Sequence, residues 1–137
     1  ALEAVTGPAG CLVITRNSMG NRLNFGAGVN EVRNVFVADD LATARKHAGK
    51  WDFQEARGMA GLQLVVKVAG AAAEAGLPLE AVYEEAEAMA KVVRTLGVGF
   101  SSCSLPGQGG RRPSVPDDEM EIGLGIHGEP GQMRVKA

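Results

Sequence analysis

The amino-acid sequence predicts an α/β layered fold. Short β-branched apolar runs read as buried strands, and between them lie two long segments of helical character. Residues 11–15 (CLVIT), after the turn-forming Gly7-Pro8-Ala9-Gly10, are the first such run, and residues 34–38 (NVFVA) are the second. Asp39 and Asp40 follow directly, suited to end a strand or cap a helix. Residues 17–33 between these strands read as a loop with at most a short helix. Residues 59–75 are apolar nearly all round, which predicts a helix buried on most sides. Gly76 stops it and Pro78 opens the next. That helix is expected over 79–96, where Leu79, Val82, Ala86, Met89, Val92 and Leu96 recur at helical steps, Glu87 and Lys91 pair, and Gly97 closes the end. Residues 98–104 read as a strand and 106–118 as a polar, flexible loop. Residues 121–126 (EIGLGI) read as the last strand, whose Gly123 and Gly125 allow close backbone approach.

Composition narrows the class. In 137 residues there are 19 glycines, with 45% hydrophobic, 4% aromatic and 22% charged residues and a net charge of −2. That is too aliphatic and too weakly charged for a disordered chain, and it lacks the basic excess of a nucleic-acid binder. No apolar run is long enough to span a membrane. Cys11 and Cys103 are too few for a disulfide scaffold or a zinc site and read as inert core thiols. The opening Ala1-Leu-Glu-Ala does not resemble a signal peptide, so a cytoplasmic setting is expected. With no initiator Met, the chain is expected to have been processed, trimmed or cut from something longer.

Two stretches could carry chemistry. His127 follows the last expected strand inside Gly125-Ile-His-Gly-Glu-Pro-Gly131. A nucleophile just past a strand's C-terminal end is the usual place for an α/β active site. Its small neighbours leave room for a substrate, although a turn histidine capping the strand fits the spacing as well. His47, among Arg45, Lys46 and Lys50, reads as a solvated surface residue. Gly123, Gly125 and Gly128 match G-x-G-x-x-G, but Glu129-Pro130-Gly131 follows where a crossover helix is required, so a dinucleotide site is rejected. No Walker A motif occurs. The second stretch, residues 16–25, is rich in donors: Arg16, Asn17, Asn21, Arg22 and Asn24. It could bind a polyol or a phosphate, or be a polar turn. No carboxylate pair converges with it, which leaves a glycosidase unsupported.

Taken in order, these segments resemble the substrate-binding domain of the dihydroxyacetone kinase family. Residues 16–26 (RNSMGNRLNFG) are similar to the family's K-N-Y-T-G-D-x-L-N-F loop, and Asp39-Asp40-Leu-Ala to its D-D-x-A. Residues 56–61 resemble R-R-G-x-A-G, and residues 67–76 (KVAGAAAEAG) nearly repeat a family block. Cys103-Ser-Leu-Pro-Gly107 and residues 118–131, ending in G-I-H-G-E-P-G, complete the likeness over almost the whole chain.

The resemblance implies a mostly parallel sheet flanked by helices, residues 1–137 forming one partial substrate-binding domain with its site at strand C-termini. It implies that His127 bonds covalently to the carbonyl carbon of dihydroxyacetone, or of a short ketose or aldose, as a hemiaminal. It also implies that Arg16 and Asn21 contact the substrate, with Asn21 at the position that assists deprotonation of the terminal hydroxyl. No cofactor is expected on this domain. The phosphoryl donor that the resemblance implies is ATP with Mg²⁺ on a separate helical domain or subunit, or a phosphoprotein-fed relay in bacterial versions. Homodimers or larger assemblies are expected, without nucleic acid or membrane.

Departures from the family pattern limit this reading. Asn21 replaces an aspartate, Arg16 a lysine and Ser18 a tyrosine. The family's G-G-G-S-G-H-E-P segment, with its second catalytic histidine, has no counterpart within 1–137. The stretch from Phe25 to Asp39 is short for the family, and the family's C-terminal half and ATP domain have no counterpart within 1–137. The expectation is therefore a kinase substrate domain anchored on His127. The alternative is a degenerate, non-catalytic homologue that keeps the fold as a structural or binding subunit.

Overall fold

Strand β1 (Cys11–Arg16) and strand β2 (Val32–Val37) pair in parallel, from Cys11 opposite Val32 to Arg16 opposite Val37. Both coincide with the β-branched runs of the sequence. The computed structural model describes residues 9–17, 32–100, 115–116, 118–127 and 129–137. Asn21, the rest of the donor-rich loop and most of the expected 98–104 strand and 106–118 loop lie outside them.

A parallel pair needs apolar cover. Helix α1 (Gly61–Glu74) and helix α2 (Leu79–Val92) supply it, joined by a turn in which Gly76 takes φ +79. Leu12, Ile14, Val35 and Val37 meet Val65, Ala69 and Ala72 of α1 and Val82 and Ala86 of α2. Alternation puts the strand residues on one face, and three- and four-residue steps do the same on each helix. Each valine fully removed from water contributes about 1.5–3 kcal/mol, so Val35, Val37, Val65, Val82 and Val93 make this cluster the main local store of stability. This α/β layering is the predicted fold class.

Several expectations change. α1 is buried along one stripe rather than on most sides, and Leu64 and Val66 on its outer face are 47% and 46% exposed. α2 ends at Val92, not Leu96: Val93 is already extended (ψ 137). The cause is tertiary. Thr95 forms a parallel bridge with Asp40, its N–H donating to Asp39 O (2.7 Å) and its carbonyl accepting from Leu41 N–H (2.9 Å). A helix continued to Leu96 would forfeit that pairing, and Val92, expected in the core, is left exposed.

The described sheets are also less parallel than expected. Beyond β1–β2 and the Asp40–Thr95 bridge, the described pairings are antiparallel. Strands β3 (Arg45–His47) and β4 (Lys50–Asp52) form a hairpin whose turn residues Ala48 and Gly49 both have positive φ. An Ala-Gly turn is a weak hairpin signal beside Asn-Gly. Strands β5 (Val98–Gly99), β6 (Glu119–Ile122) and β7 (Met133–Lys136) form a second sheet in that order. β6 therefore stops before Gly123 (φ +85) instead of running to Ile126. His127 does not directly follow a strand; it lies in the connection between β6 and β7.

Candidate functional site

The C-terminal end of β1 and the β6–β7 connection meet across a cleft of about 270 Å³. Arg16, Asn17, Arg57, His127 and Glu129 line it. Arg16 and His127, both picked from the sequence, thus share one cavity. Asn21 lies outside the described residues.

The floor of the cleft is held by Asn17. Its buried side-chain amide donates to Ala56 O (2.8 Å) and Gln54 O (3.2 Å). Its backbone carbonyl accepts from Gly58 N–H (2.9 Å), and its own N–H donates to Val37 O (2.8 Å). The chain at 54–58 is thereby pinned beneath β1 and β2. The approach is so close that a Cβ on Gly58 would overlap the Val37 carbonyl and lie 2.8 Å from Arg16 Cα.

The two aspartates after β2 are fully buried and divide the work. Asp39 accepts from Met59 N–H (2.6 Å), Gly61 N–H (2.8 Å) and the Thr95 hydroxyl. It caps the start of α1 from a distance, because the helix's own N-cap, Ala60, makes no side-chain bond. Asp40 accepts from Ala42 N–H (3.0 Å) and the Thr43 hydroxyl (3.0 Å), and pairs with Arg57 Nε (2.7 Å). Arg57 Nη2 then donates to Gly123 O (3.0 Å), tying the parallel unit to the loop that carries His127.

His127 is exposed, with its ring held from one side. Nδ1 lies 2.9 Å from Glu129 Oε1, and the His127 backbone N–H donates to Glu129 Oε2 (2.9 Å). The hydrogen bond from the His127 ring, then the backbone N–H groups of Glu129 and His127, hold the Glu129 carboxyl down to about 2. An ionised carboxylate only accepts, so in the neutral ring this contact places the proton on Nδ1 and leaves the lone pair on Nε2. The arrangement offers a nucleophilic nitrogen at the mouth of a cleft that also contains two guanidinium groups.

Asp39 and Asp40 stood in the sequence as a strand end or helix cap within D-D-x-A, and Arg57 only as a member of R-R-G-x-A-G; Asp39 does cap α1, but from across the fold. Glu129 stood unremarked inside G-I-H-G-E-P-G. Among the described residues, no three His, Cys, Asp or Glu side chains gather as a metal site, and no helix is long and apolar enough to cross a membrane.

The chain is similar to known proteins over nearly its whole length. Human triokinase/FMN cyclase is 43% identical over 148 residues, covering 99% of this chain and 24% of that protein. The crystal structure of the dihydroxyacetone kinase from C. freundii in complex with AMP-PNP and Mg²⁺ superposes with a TM-score of 0.77 at 39% identity, covering 98% of this chain and 25% of that one. A dihydroxyacetone kinase operon co-activator, Dha-DhaQ, reaches the same TM-score of 0.77 at 27% identity, over 98% of this chain and 42% of its own. The chain thus spans about a quarter of the length of the kinases it matches. The family model for the Dak1 domain matches residues 1–137 from end to end, and the chain belongs to that family.

Proposed function

We propose that this chain is the part of a dihydroxyacetone kinase that captures the sugar, with His127 as the covalent anchor. Nε2 of His127 adds to the carbonyl carbon of dihydroxyacetone or another short ketose or aldose. A C–N bond forms, the C=O π pair moves onto oxygen, that oxygen gains one proton and Nδ1 gives one up. No group leaves and nothing is oxidised. The hemiaminal fixes the substrate so that its terminal hydroxyl meets the phosphoryl donor, and most of the gain is in positioning. Glycerol has no carbonyl and escapes capture.

The observation that carries this reading is the exposed His127 ring, anchored through Nδ1 with Nε2 left as a nucleophile at the cleft. Arg16, at the end of β1, supports it as a donor to substrate hydroxyls, and Asn21 is assigned the same neighbourhood from the loop pattern. ATP with Mg²⁺ is the donor in this reading, carried on a separate helical domain or subunit. The exposed Leu64 and Val66 on α1 support burial against the rest of the protein or a second copy in a cytoplasmic homodimer or larger assembly.

The test uses the full-length protein and dihydroxyacetone labelled with ¹³C at the carbonyl. The ketone resonance should be replaced by a protein-bound tetrahedral carbon, and His127→Ala should abolish the new signal. A wild-type protein that leaves the ketone unchanged overturns the reading. A second reading, a non-catalytic binding subunit, is favoured by Asn21 at the family's aspartate position and by the likeness to the co-activator. The two part company on phosphoryl transfer: the binding subunit captures the ketone and turns nothing over when donor is supplied.

A further inference from the structure

We infer that Glu129 is the positioning residue that sets the tautomer of His127, and that Gly125 is the notch that keeps Glu129 in place. The inference rests on carbonyl capture by His127, and it assigns work to two residues that capture alone leaves idle.

Both oxygens of Glu129 are committed to His127, Oε1 to the ring Nδ1 and Oε2 to the backbone N–H, each at 2.9 Å. A single contact would leave the ring free to turn. Two contacts on one carboxylate fix the ring against its own backbone. The turn is closed from the other side as well, since Gly125 N–H donates to Glu129 O (2.9 Å). A Cβ at position 125 would overlap Glu129 Oε2 and lie 2.6 Å from Arg57 Nη1. An alanine there would displace the tip of the Glu129 side chain from this position, so glycine makes room for the contact without a special backbone angle.

The chemistry explains why this matters. Neutral imidazole carries one proton, and a ring without a fixed partner can hold it on Nε2, where no lone pair remains for attack. A carboxylate at Nδ1 keeps the proton there. As Nε2 bonds to carbon the ring gains positive charge, which the same carboxylate offsets before Nδ1 gives up its proton. Arg57 and Arg16 are the other charged groups of the cleft; as cations they cannot accept that proton. The Glu129 carboxyl lies below its ordinary range, so the brace is complete above that range and is lost only as pH falls through about 2.

The test follows the ring and the adduct separately, in full-length protein with ¹⁵N-labelled histidine. Long-range ¹H–¹⁵N correlations should report His127 in the Nδ1–H tautomer. Glu129→Ala should mix the tautomers and weaken adduct formation with ¹³C-labelled dihydroxyacetone by roughly 10–100-fold, the size of effect seen when a metal-bound histidine loses its outer partner. Glu129→Gln, whose amide oxygen accepts the same bond without the charge, should recover the tautomer and part of the affinity. Gly125→Ala should behave like Glu129→Ala while leaving both residues in place. Unchanged tautomer and affinity in Glu129→Ala, with a normal wild-type adduct, overturn this inference and leave capture standing. A wild-type protein without an adduct overturns capture instead. The tautomer then still judges Glu129, because an unaltered ring in Glu129→Ala refutes the positioning role alone.

Discussion

At position 21 an amide stands where the resembled loop has a carboxylate, and an amide cannot take a proton. If position 21 serves the substrate hydroxyl, Asn21→Asp should raise phosphoryl transfer in a donor-supplied assay of the full-length protein. General-base assistance contributes typically 10²–10⁴-fold, so a rise of about tenfold or more is expected. An unchanged rate would mean that Asn21 does not occupy the base position. Arg16 and His127 stood out in the sequence for their own chemistry, and both line the described cleft. Glu129 and Arg57 did not. One acts only through the ring two residues before it, the other through partners at Asp40 and Gly123, and neither relation exists until the chain folds.

The elements hold the cleft through buried polar contacts that cross long stretches of chain. Asp39 closes α1 although about twenty residues separate them. Asp39→Ala should strand the Met59 and Gly61 N–H groups and cost about 2–4 kcal/mol, seen as a lowered denaturant midpoint with an unchanged slope. A smaller loss would mean that water replaces the carboxylate. Gly58→Ala tests the close approach beneath β1. It should cost about 1–3 kcal/mol through displaced backbone and weaken ketone binding, because Arg57 is its neighbour. Binding that survives a clear loss of stability would show that the Arg57 contacts tolerate the shift. The early end of α2 belongs to this scale too. Periodicity through Leu96 is real in the sequence, yet the pairing of Thr95 with Asp39 and Asp40 outweighs it.

For the whole molecule, the apolar pattern was enough to find β1, β2, α1 and α2, because their burial is regular in period. It also marked parts of β5 and β6, but the β3–β4 hairpin and β7 escaped it. β3 and β4 carry Arg45, Lys46, Lys50 and Asp52, with no apolar alternation, and β7 (MRVK) is exposed along its length. Such strands are defined by partners rather than by burial. The over-read burial of α1 has a related cause: its apolar outer face was counted as core, but no described element packs on Leu64 or Val66.

The hydrogen bond from Arg57 to Gly123 joins two parts of the chain that are made far apart in time. The parallel strands and helices emerge first from the ribosome, and the hairpin bearing His127 comes long after. Closing that distance requires a long loop, whose entropic cost is met only when β6 and β7 have paired. A half-folded chain therefore holds Arg16 and Arg57 without His127 beside them. If His127 is the anchor proposed above, ketone capture reports that these two parts of the chain have come together.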